Sequence, residues 1–401
     1  MKLGELIEIK HGYAFSGEHI VEDDNGIVLV TPGNFRIGGG FKEEKCKFFD
    51  GEIPADYVLK EGDFIVTMTD LSKTIDTLGY SALVPKSKRT YLHNQRIGLV
   101  TFKSDECDRG YIYWLMRTRE YQRSIANTST GATVHHTSPK KIYDYDLEVP
   151  PLPIQHRIAT ILSRYDSLIE NYQKQIKLLE EAAQRLYKEW FVDLRFPGHE
   201  NTKIVDGVPE GWEKKSIGEI GTVITGKTPS TSNKENYGGS IPFITIPDMH
   251  TGIYPVSSVF LSEKGAESQS KKYIPQGALI VSCIGTAGLV CITKERCQTN
   301  QQINSLILDD KEMLHYMYFV FLSLKEHLNN IGSNGATMTN VNKSKFEGID
   351  IVVPSSCIIR DFSQRTTPYF ENIKSLQSQL RLLTEARDRL LPKLMNGEIA
   401  V

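Results

Sequence analysis

The chain carries one pattern twice, so whatever fold it adopts must build the same skeleton two times over. Residues 131–186 lie on residues 335–390 without a gap at an offset of 204, with 18 of the 56 positions identical. The match opens with GATVHHTSPKKIYDYDLEVP against GATMTNVNKSKFEGIDIVVP. Upstream the offset drifts: LGELIEIKHG from Leu3 meets IGEIGTVITG from Ile217, EGDFIVT from Glu61 meets QGALIVS from Gln276, and NQRI from Asn94 meets NQQI from Asn300. Fixed blocks separated by stretches of changing length describe a common framework with different loops, and such a repeat governs every local assignment that follows.

Each copy begins with a strand-rich portion. GIVLVT from Gly26, DFIVTMT from Asp63, GYSALV from Gly79 and IGLVTF from Ile97 read as strands, with partners IPFITI from Ile241, ALIVSCI from Ala278, GLVCIT from Gly288 and INSLIL from Ile303. Their β-branched content and their Gly, Pro and Asn boundaries favour that conformation. One helix is expected next in each copy, from Gly110 and from Lys311. Each copy then closes on a long helix. Ile158, Tyr165, Tyr172, Leu179 and Leu186 recur at heptad spacing beside Leu162, Ile169, Ile176, Ala183 and Trp190, and the second copy repeats the series as Phe362, Tyr369, Leu376, Leu383 and Leu390. Sustained heptads predict a seam between paired helices, and the flanking row widens the apolar stripe so that it also reaches a domain. Pro368 behind Thr367 reads as a first-turn proline and Pro392 as a terminator. The second helix is then expected over residues 368–391, about 36 Å long at ~1.5 Å per residue, near the length of one B-DNA turn. The fold class is therefore α+β: two mixed α/β domains joined by two long antiparallel coiled-coil helices, with an internal pseudo-twofold repeat. The expected divisions are residues 1–150, a spacer helix at 151–196, a Gly- and Pro-bearing linker at 197–210, a second domain at 211–354, and a second spacer helix at 355–401.

Composition narrows the function. Lys and Arg number 47 against 49 Asp and Glu, a net charge of −2, so the basic excess common in nucleic-acid binders is missing and a DNA role must rest on organisation. The six cysteines form no CxxC pair and no His/Cys cluster, which points away from zinc and disulfides and toward a reducing compartment. The N-terminus lacks a charged-then-apolar signal and no stretch approaches the apolar length of a membrane helix, so a cytoplasmic location is expected. GTVITGKT from Gly221 matches the phosphate-loop pattern through Gly221, Gly226, Lys227 and Thr228. That chemistry needs a strand ending at the first glycine and a helix starting at the lysine. Here Thr222, Val223, Ile224 and Thr225 are all β-branched and Pro229 follows, while the first copy has Ile7, Gly12, Tyr13 and Ala14 in the corresponding places. The shared element is a strand ending in a turn glycine.

Two globular portions each followed by a long helix, with matching ends and divergent middles, resemble the specificity subunit of type I restriction-modification systems over the whole chain. The carriers are VPEGWEKKSIGEIGTVITGKTPSTSNKENYGGSIPFITIPDM from Val208, YLHNQRIG from Tyr91, GATVHHTSPKKIYDYDLEVPPLPIQHRIATIL from Gly131, and LLPKLMNGEI from Leu390. The resemblance implies that each globular portion is a target recognition domain reading one half of a split duplex DNA sequence. It implies that the two helices hold the domains apart and dock two methyltransferase subunits, joined by nuclease/translocase subunits in the restricting complex. The chain itself would be non-catalytic and without a cofactor, S-adenosylmethionine belonging to the partner methyltransferase. Two departures stand out. The first copy starts at MKLGELIEIKHG without the lead-in PEGWEKKS of the second, and is expected to lack that segment. VPSSCIIRD from Val353 replaces VPPLPIQHR from Val149, so the two junctions present different surfaces.

Loops that differ between the copies while shared strands flank them are expected to face DNA. In the first domain these offer Asp70, Ser72, Lys73, Asn94, Gln95, Arg96, His135, His136, Lys140 and Lys141. The second offers Lys227, Thr228, Ser230, Thr231, Asp248, Asn300, Gln301, Gln302, Asn340, Asn342 and Lys345. Arg suits guanine edges, Asn and Gln suit adenine, and Lys or hydroxyls suit phosphate. Against this stand turn-capping roles for the same residues, a structural role for NQRI and NQQI because both copies have it, and no third ligand near His135 and His136 for a metal. A nucleotide-dependent protein using GTVITGKT and a coiled-coil scaffold without a DNA role are the rival readings.

Overall fold

The computed structural model describes every residue except 73, 104, 132, 206 and 333–339. It resolves into two compact units, Met1–Ile169 with Leu383–Val401, and Glu170–Leu382. Each unit thus owns one domain and a piece of both long helices.

The first unit is built on an antiparallel sheet ordered Ile7–His11, Ile97–Phe102, Phe64–Thr67, Ser81–Leu83. The second has the same order in Gly221–Thr225, Ile303–Leu308, Leu279–Ser282, Val290–Ile292. A further sheet in each unit contains one parallel pairing, Ile27–Val30 with Thr90–His93 and Tyr237–Ile244 with Gln298–Thr299. All eight strands expected from the repeat are present. Central strands read as unbroken apolar runs because both faces are covered: Phe64, Ile65 and Val66 are fully buried, as are Leu279, Ile280 and Val281.

The single helix expected after the strands is two helices in each unit, Arg109–Leu115 with Arg119–Asn127, and Leu314–Ser323 with Lys325–Gly332. In the first unit the break has a local cause. The Thr118 hydroxyl accepts the Tyr121 N–H at 3.2 Å, capping a new helix in place of continuing the old one.

The first long helix covers Leu152–Tyr187 and the second Ser356–Met395. The second is 40 residues, about 60 Å, so the expected start at Pro368 and stop at Leu391 are corrected. Pro368 and Pro392 are both exposed, and the carbonyl that each leaves without an N–H partner can be met by water. Phe362, Phe370 and Ile373 around the first proline, and Leu391 and Leu394 around the second, are buried and hold the helix on its course. The match to one DNA turn disappears with the longer helix.

Within each unit the long helices run antiparallel. In the second unit the Phe362 ring, near the start of one helix, lies 6.4 Å from Tyr187 and 5.8 Å from Trp190 at the end of the other. In the first unit Ile158, Ala159 and Leu162 share a core with Leu391 and Leu394. Of the expected seam, Ile158 and Phe362 are buried, whereas Tyr165, Tyr172, Leu179, Leu186, Tyr369, Leu376, Leu383 and Leu390 are half-buried. The flanking row Leu162, Ile169, Ile176, Ala183 and Trp190 is buried throughout, and Leu162 in the first unit and Ile176, Ala183 and Trp190 in the second belong to the domain cores. The expected linker contains a small hairpin, Ile204–Val205 with Val208–Pro209, and is preceded by a buried Phe196. Among the described residues no helix is long and apolar enough to cross a membrane.

Candidate nucleic-acid interface

In the first unit the strand Ile7–His11 ends where Gly12 presses on the turn at Asn94. The Tyr13 N–H donates to the His93 carbonyl at 2.8 Å and the Gln95 N–H to the Tyr13 carbonyl at 2.9 Å. A Cβ on Gly12 would sit 2.1 Å from the Asn94 carbonyl oxygen, an approach open only to glycine. Asn94 turns inward, its Oδ1 accepting the Arg96 N–H at 3.0 Å. The Met68 N–H donates to the Arg96 carbonyl at 2.9 Å, the Thr137 N–H donates to the Met68 carbonyl at 3.0 Å, and His135 and His136 pair with Asp70 and Thr69. Four segments distant in sequence are tied into one rim.

The second unit repeats most of these bonds. The Lys227 N–H donates to the Thr299 carbonyl at 2.9 Å, and a Cβ on Gly226 would sit 2.2 Å from the Asn300 carbonyl oxygen. Asn300 Oδ1 accepts the Gln302 N–H at 3.2 Å. The Cys283 N–H donates to the Gln302 carbonyl at 2.8 Å, the Val341 N–H donates to the Cys283 carbonyl at 2.9 Å, and Asn340 bridges Ile284. What changes between the rims is the side chain displayed: exposed Tyr13 against exposed Lys227, exposed His136 against exposed Asn340, and exposed Arg96 against Gln302, which is half-buried and turned inward, its Oε1 accepting from Asn300 Nδ2 at 3.0 Å and its Nε2 donating to the Ile284 carbonyl at 3.4 Å. Gln95 and Gln301 are exposed in both. Gly221–Thr225 is a strand paired with Ile303–Leu308, and no helix begins at Lys227. The phosphate-loop reading therefore lacks its helix terminus and its backbone nest.

Several expected DNA contacts are structural instead. Asp70 is 1% exposed. Its carboxylate accepts the N–H groups of Ser72 at 2.6 Å, Thr77 at 2.5 Å and Leu78 at 3.1 Å, and the Thr77 hydroxyl at 2.7 Å. Burial alone would raise its pKa, but the bonds from Ser72 and Thr77 outweigh it and hold the carboxyl below its ordinary value. Ser72 follows suit, its hydroxyl accepting the Asp76 N–H at 3.0 Å. Lys73 lies outside the described residues. Asp248 is 3% exposed and accepts the Thr245 N–H and hydroxyl, both at 2.8 Å, and the Ser258 N–H at 2.9 Å. Asn342 caps the short helix Lys343–Glu347 by accepting the Lys345 N–H at 2.9 Å, as Ser138 caps Pro139–Tyr143.

The repeat-equivalent lysines Lys141 and Lys345 are struts. Lys141 Nζ donates to the Thr128 carbonyl and Lys345 Nζ to the Ile331 carbonyl at 2.9 Å, each at the end of the preceding helix, where a cation meets unpaired carbonyls and the negative dipole end. Lys140 remains exposed, His135 is half-buried, and His136 Nδ1 stands 3.1 Å from the Thr69 hydroxyl. Thr228 donates to Gln301 Oε1 at 2.5 Å, Ser230 lies 2.8 Å from Ser232 Oγ, and Thr231 is exposed beside them.

Two groups escaped the sequence reading. Tyr13, 43% exposed and packed on Tyr57 at 5.3 Å, stands on the first rim; its alignment with Lys227 was the available signal. In the same unit Asp166 joins Arg117 and Arg387 at 2.5 and 2.6 Å. A carboxylate and a guanidinium interrupting otherwise apolar helix faces, where the other copy has Phe370 and Ala183, could have flagged it.

Comparison with known proteins agrees with this duplicated arrangement. The family model described as type I restriction modification DNA specificity domain matches residues 1–181 and again residues 209–364. The HindI type I restriction enzyme specificity subunit of Haemophilus influenzae is 35% identical over 347 residues, covering 70% of this chain and 75% of that protein. The MjaIX specificity subunit of Methanocaldococcus jannaschii is 29% identical over 298 residues, covering 73% and 69%. A crystal structure of the type I restriction-modification S subunit from M. genitalium shares the fold with a TM-score of 0.64 at 16% identity, over 98% of this chain and 95% of that one. With one family match in each half, together spanning most of its length, this chain belongs to the type I restriction-modification DNA specificity family.

Proposed function

We propose that the chain is the sequence-reading subunit of a type I restriction-modification complex, that each unit reads one half of a split duplex target, and that the chain performs no chemistry of its own. The duplicated rim carries this reading: one hydrogen-bonded frame, built twice, displays different side chains. Arg96 suits the two acceptors of a guanine edge, Gln95 and Gln301 suit adenine, and Lys227 suits phosphate. Two methyltransferase subunits, carrying S-adenosylmethionine, dock on the long helices, and nuclease/translocase subunits join them in the restricting form. The complex acts on duplex DNA in the cytoplasm. Because the chain's charge is −2, the cationic surface that DNA requires is shared with those partners.

The test is co-expression with the methyltransferase partner followed by mapping of methylated adenines. A two-part motif is expected, of which one part alone changes when residues 1–150 are exchanged for those of a relative. A single undivided motif, or one indifferent to the exchange, refutes the reading. Binding of the complex to duplex DNA should weaken steeply with salt; a salt-independent interaction would favour a scaffold without a DNA role.

A further inference from the structure

One loop of the rim differs in length between the units. It leaves the sheet after equivalent strands and returns at equivalent glycines. The Gly79 N–H donates to the Thr67 carbonyl at 2.9 Å and the Gly288 N–H to the Ser282 carbonyl at 3.0 Å, and both glycines are in the left-handed region, at φ +84° and +88°. Residues 284–287 make the crossing in the second unit, whereas the first takes residues 69–78. The longer loop is anchored at several points. Asp70 gathers the amides of Ser72, Thr77 and Leu78. Ile75 is a β-branched residue at φ +54°, which its side chain disfavours, and Gln122 Nε2 holds it there by donating to its carbonyl at 2.6 Å.

The apolar side chains of this loop are divided between two surroundings. Leu78 is fully buried in the core of the first unit and Ile75 packs against that core. Leu71 is turned out, 57% exposed, although its neighbours are fixed by the bond from the Ser72 N–H to the Asp70 carboxylate. At the same distance from the strand the second unit has Thr286, also exposed. Tyr13 against Lys227 is an exchange in the same direction. Two points of the first rim therefore offer apolar surface where the second offers groups suited to phosphate.

A leucine side chain neither donates nor accepts a hydrogen bond, so phosphate oxygens and the polar base edges are closed to it. In the major groove of an intact duplex the apolar group on offer is the C5-methyl of thymine. The Met68 N–H is bonded to the Arg96 carbonyl, and Leu71 follows three residues after Met68. It thus shares a rim with the guanidinium suited to a guanine edge in that groove. We infer that Leu71 is a specificity-determining residue of the first unit, packing on the C5-methyl of a thymine in the groove that Arg96 enters. This rests on the chain reading duplex DNA through its two rims. The second rim, with Thr286 at that point, takes no part in it.

Deoxyuridine is the direct probe, because it lacks the C5-methyl and keeps every hydrogen-bonding group of thymidine. In duplexes carrying the mapped target of the assembled methylating complex, each thymine of both half-targets, on either strand, is replaced in turn. One replacement in the half-target read by residues 1–150 should weaken binding about fourfold, the worth of one buried methyl group. In a Leu71→Thr complex the same duplex should bind no worse than its thymine parent. Leu71 is exposed and the substitute is the second copy's own residue, and an unchanged response to base changes in the second half-target reports that the variant is folded. If no deoxyuridine in the first half-target weakens binding, or the sensitive position stays sensitive in Leu71→Thr, the inference fails, while a two-part methylation motif leaves the DNA-reading function standing. A loss in Leu71→Thr that is equal for thymine and deoxyuridine duplexes marks a side chain wedged between base steps, and overturns the inference as well.

Discussion

Asp166 seats the end of the second long helix on the first unit, and its removal has a calculable effect. One carboxylate oxygen accepts from Arg117 and the other from Arg387, whose side chains are only 4% and 15% exposed. Arg117 lies 4.2 Å over the Trp114 ring and also donates to Tyr113 and to the Gly38 carbonyl, both at 2.9 Å, so it cannot swing out to find water. Breaking a buried ion pair by deleting one partner costs about 3–5 kcal/mol. Asp166 keeps a fifth of its side chain wet and Arg387 retains Asp388 as a second counter-ion at 2.7 Å, which places Asp166→Ala near the lower limit, about 3 kcal/mol. With a urea dependence of about 2–3 kcal/mol per molar, the unfolding midpoint of the first unit should fall by about 1–1.5 M. Pulsed hydrogen exchange across a urea series reads this on peptides from residues 383–395 and 152–169 without disturbing the other unit. The repeat suggests its own rescue, since the second copy has Phe370 and Ala183 in place of Asp166 and Arg387, and Phe370 packs there on His315, Tyr318 and Phe319. Asp166→Phe combined with Arg387→Ala and Arg117→Leu should return the midpoint to within about 1 kcal/mol of the parent, because a fully apolar replacement leaves no charge stranded. A single Asp166→Ala shift below about 1 kcal/mol, or a triple variant no better than the single, would refute the reasoning.

Gly12→Ala and Gly226→Ala each force a methyl to within 2.1–2.2 Å of a carbonyl oxygen; a loss of about 2–3 kcal/mol in thermal unfolding, with reading impaired in one half-target only, is expected. Arg96→Ala should relax base choice at one position of the first half-target by about 1–3 kcal/mol, whereas Lys227→Ala should weaken all targets evenly and reduce the salt slope by about one; equal loss at both half-targets from Arg96→Ala counts against the duplicated rim. Lys141→Met and Lys345→Met should leave the salt slope of DNA binding unchanged while speeding exchange in the helices they brace, and a slope reduced by either would return that lysine to phosphate contact. His315 stacks at 4.1 Å on Phe370 with its Nδ1 2.9 Å from the Thr366 hydroxyl, and burial pushes its pKa down to about 4. Its neutral form therefore supports the fold fully above the unfolded value of about 6.5, and that support, about 3 kcal/mol at most, is lost as pH falls from 6.5 toward 4. His315→Phe should flatten the second unit's stability across that window; an unchanged slope would falsify the assignment.

The frame could be read from the chain because identical residues in the two copies are the ones that make its bonds. Asn94 and Asn300 each hold their turn through the same side-chain oxygen, and Gly12 and Gly226 each permit the same close approach. Heptad spacing located the long helices and both apolar rows, but not that the flanking row is the more deeply buried, because the two rows share one period and only packing against the domains separates them. Pro368 misled for a related reason: a proline on the wet face of a helix held by buried aromatics costs less than tertiary packing returns. Asp70 and Asp248 read as DNA contacts in the sequence because a short carboxylate in a polar loop serves equally to bind an external donor or to gather the loop's own amides, and sequence does not record which way it turns. The repeat itself supplies a sharper rule than residue type. A polar residue matched by the same residue in the other copy and bonded inward, as Asn94 and Lys141 are, belongs to the frame. A residue that differs from its counterpart while occupying the same point of the rim with its side chain turned to solvent, as Tyr13 and Arg96 do, is not required by the frame and is free to be chosen by the DNA.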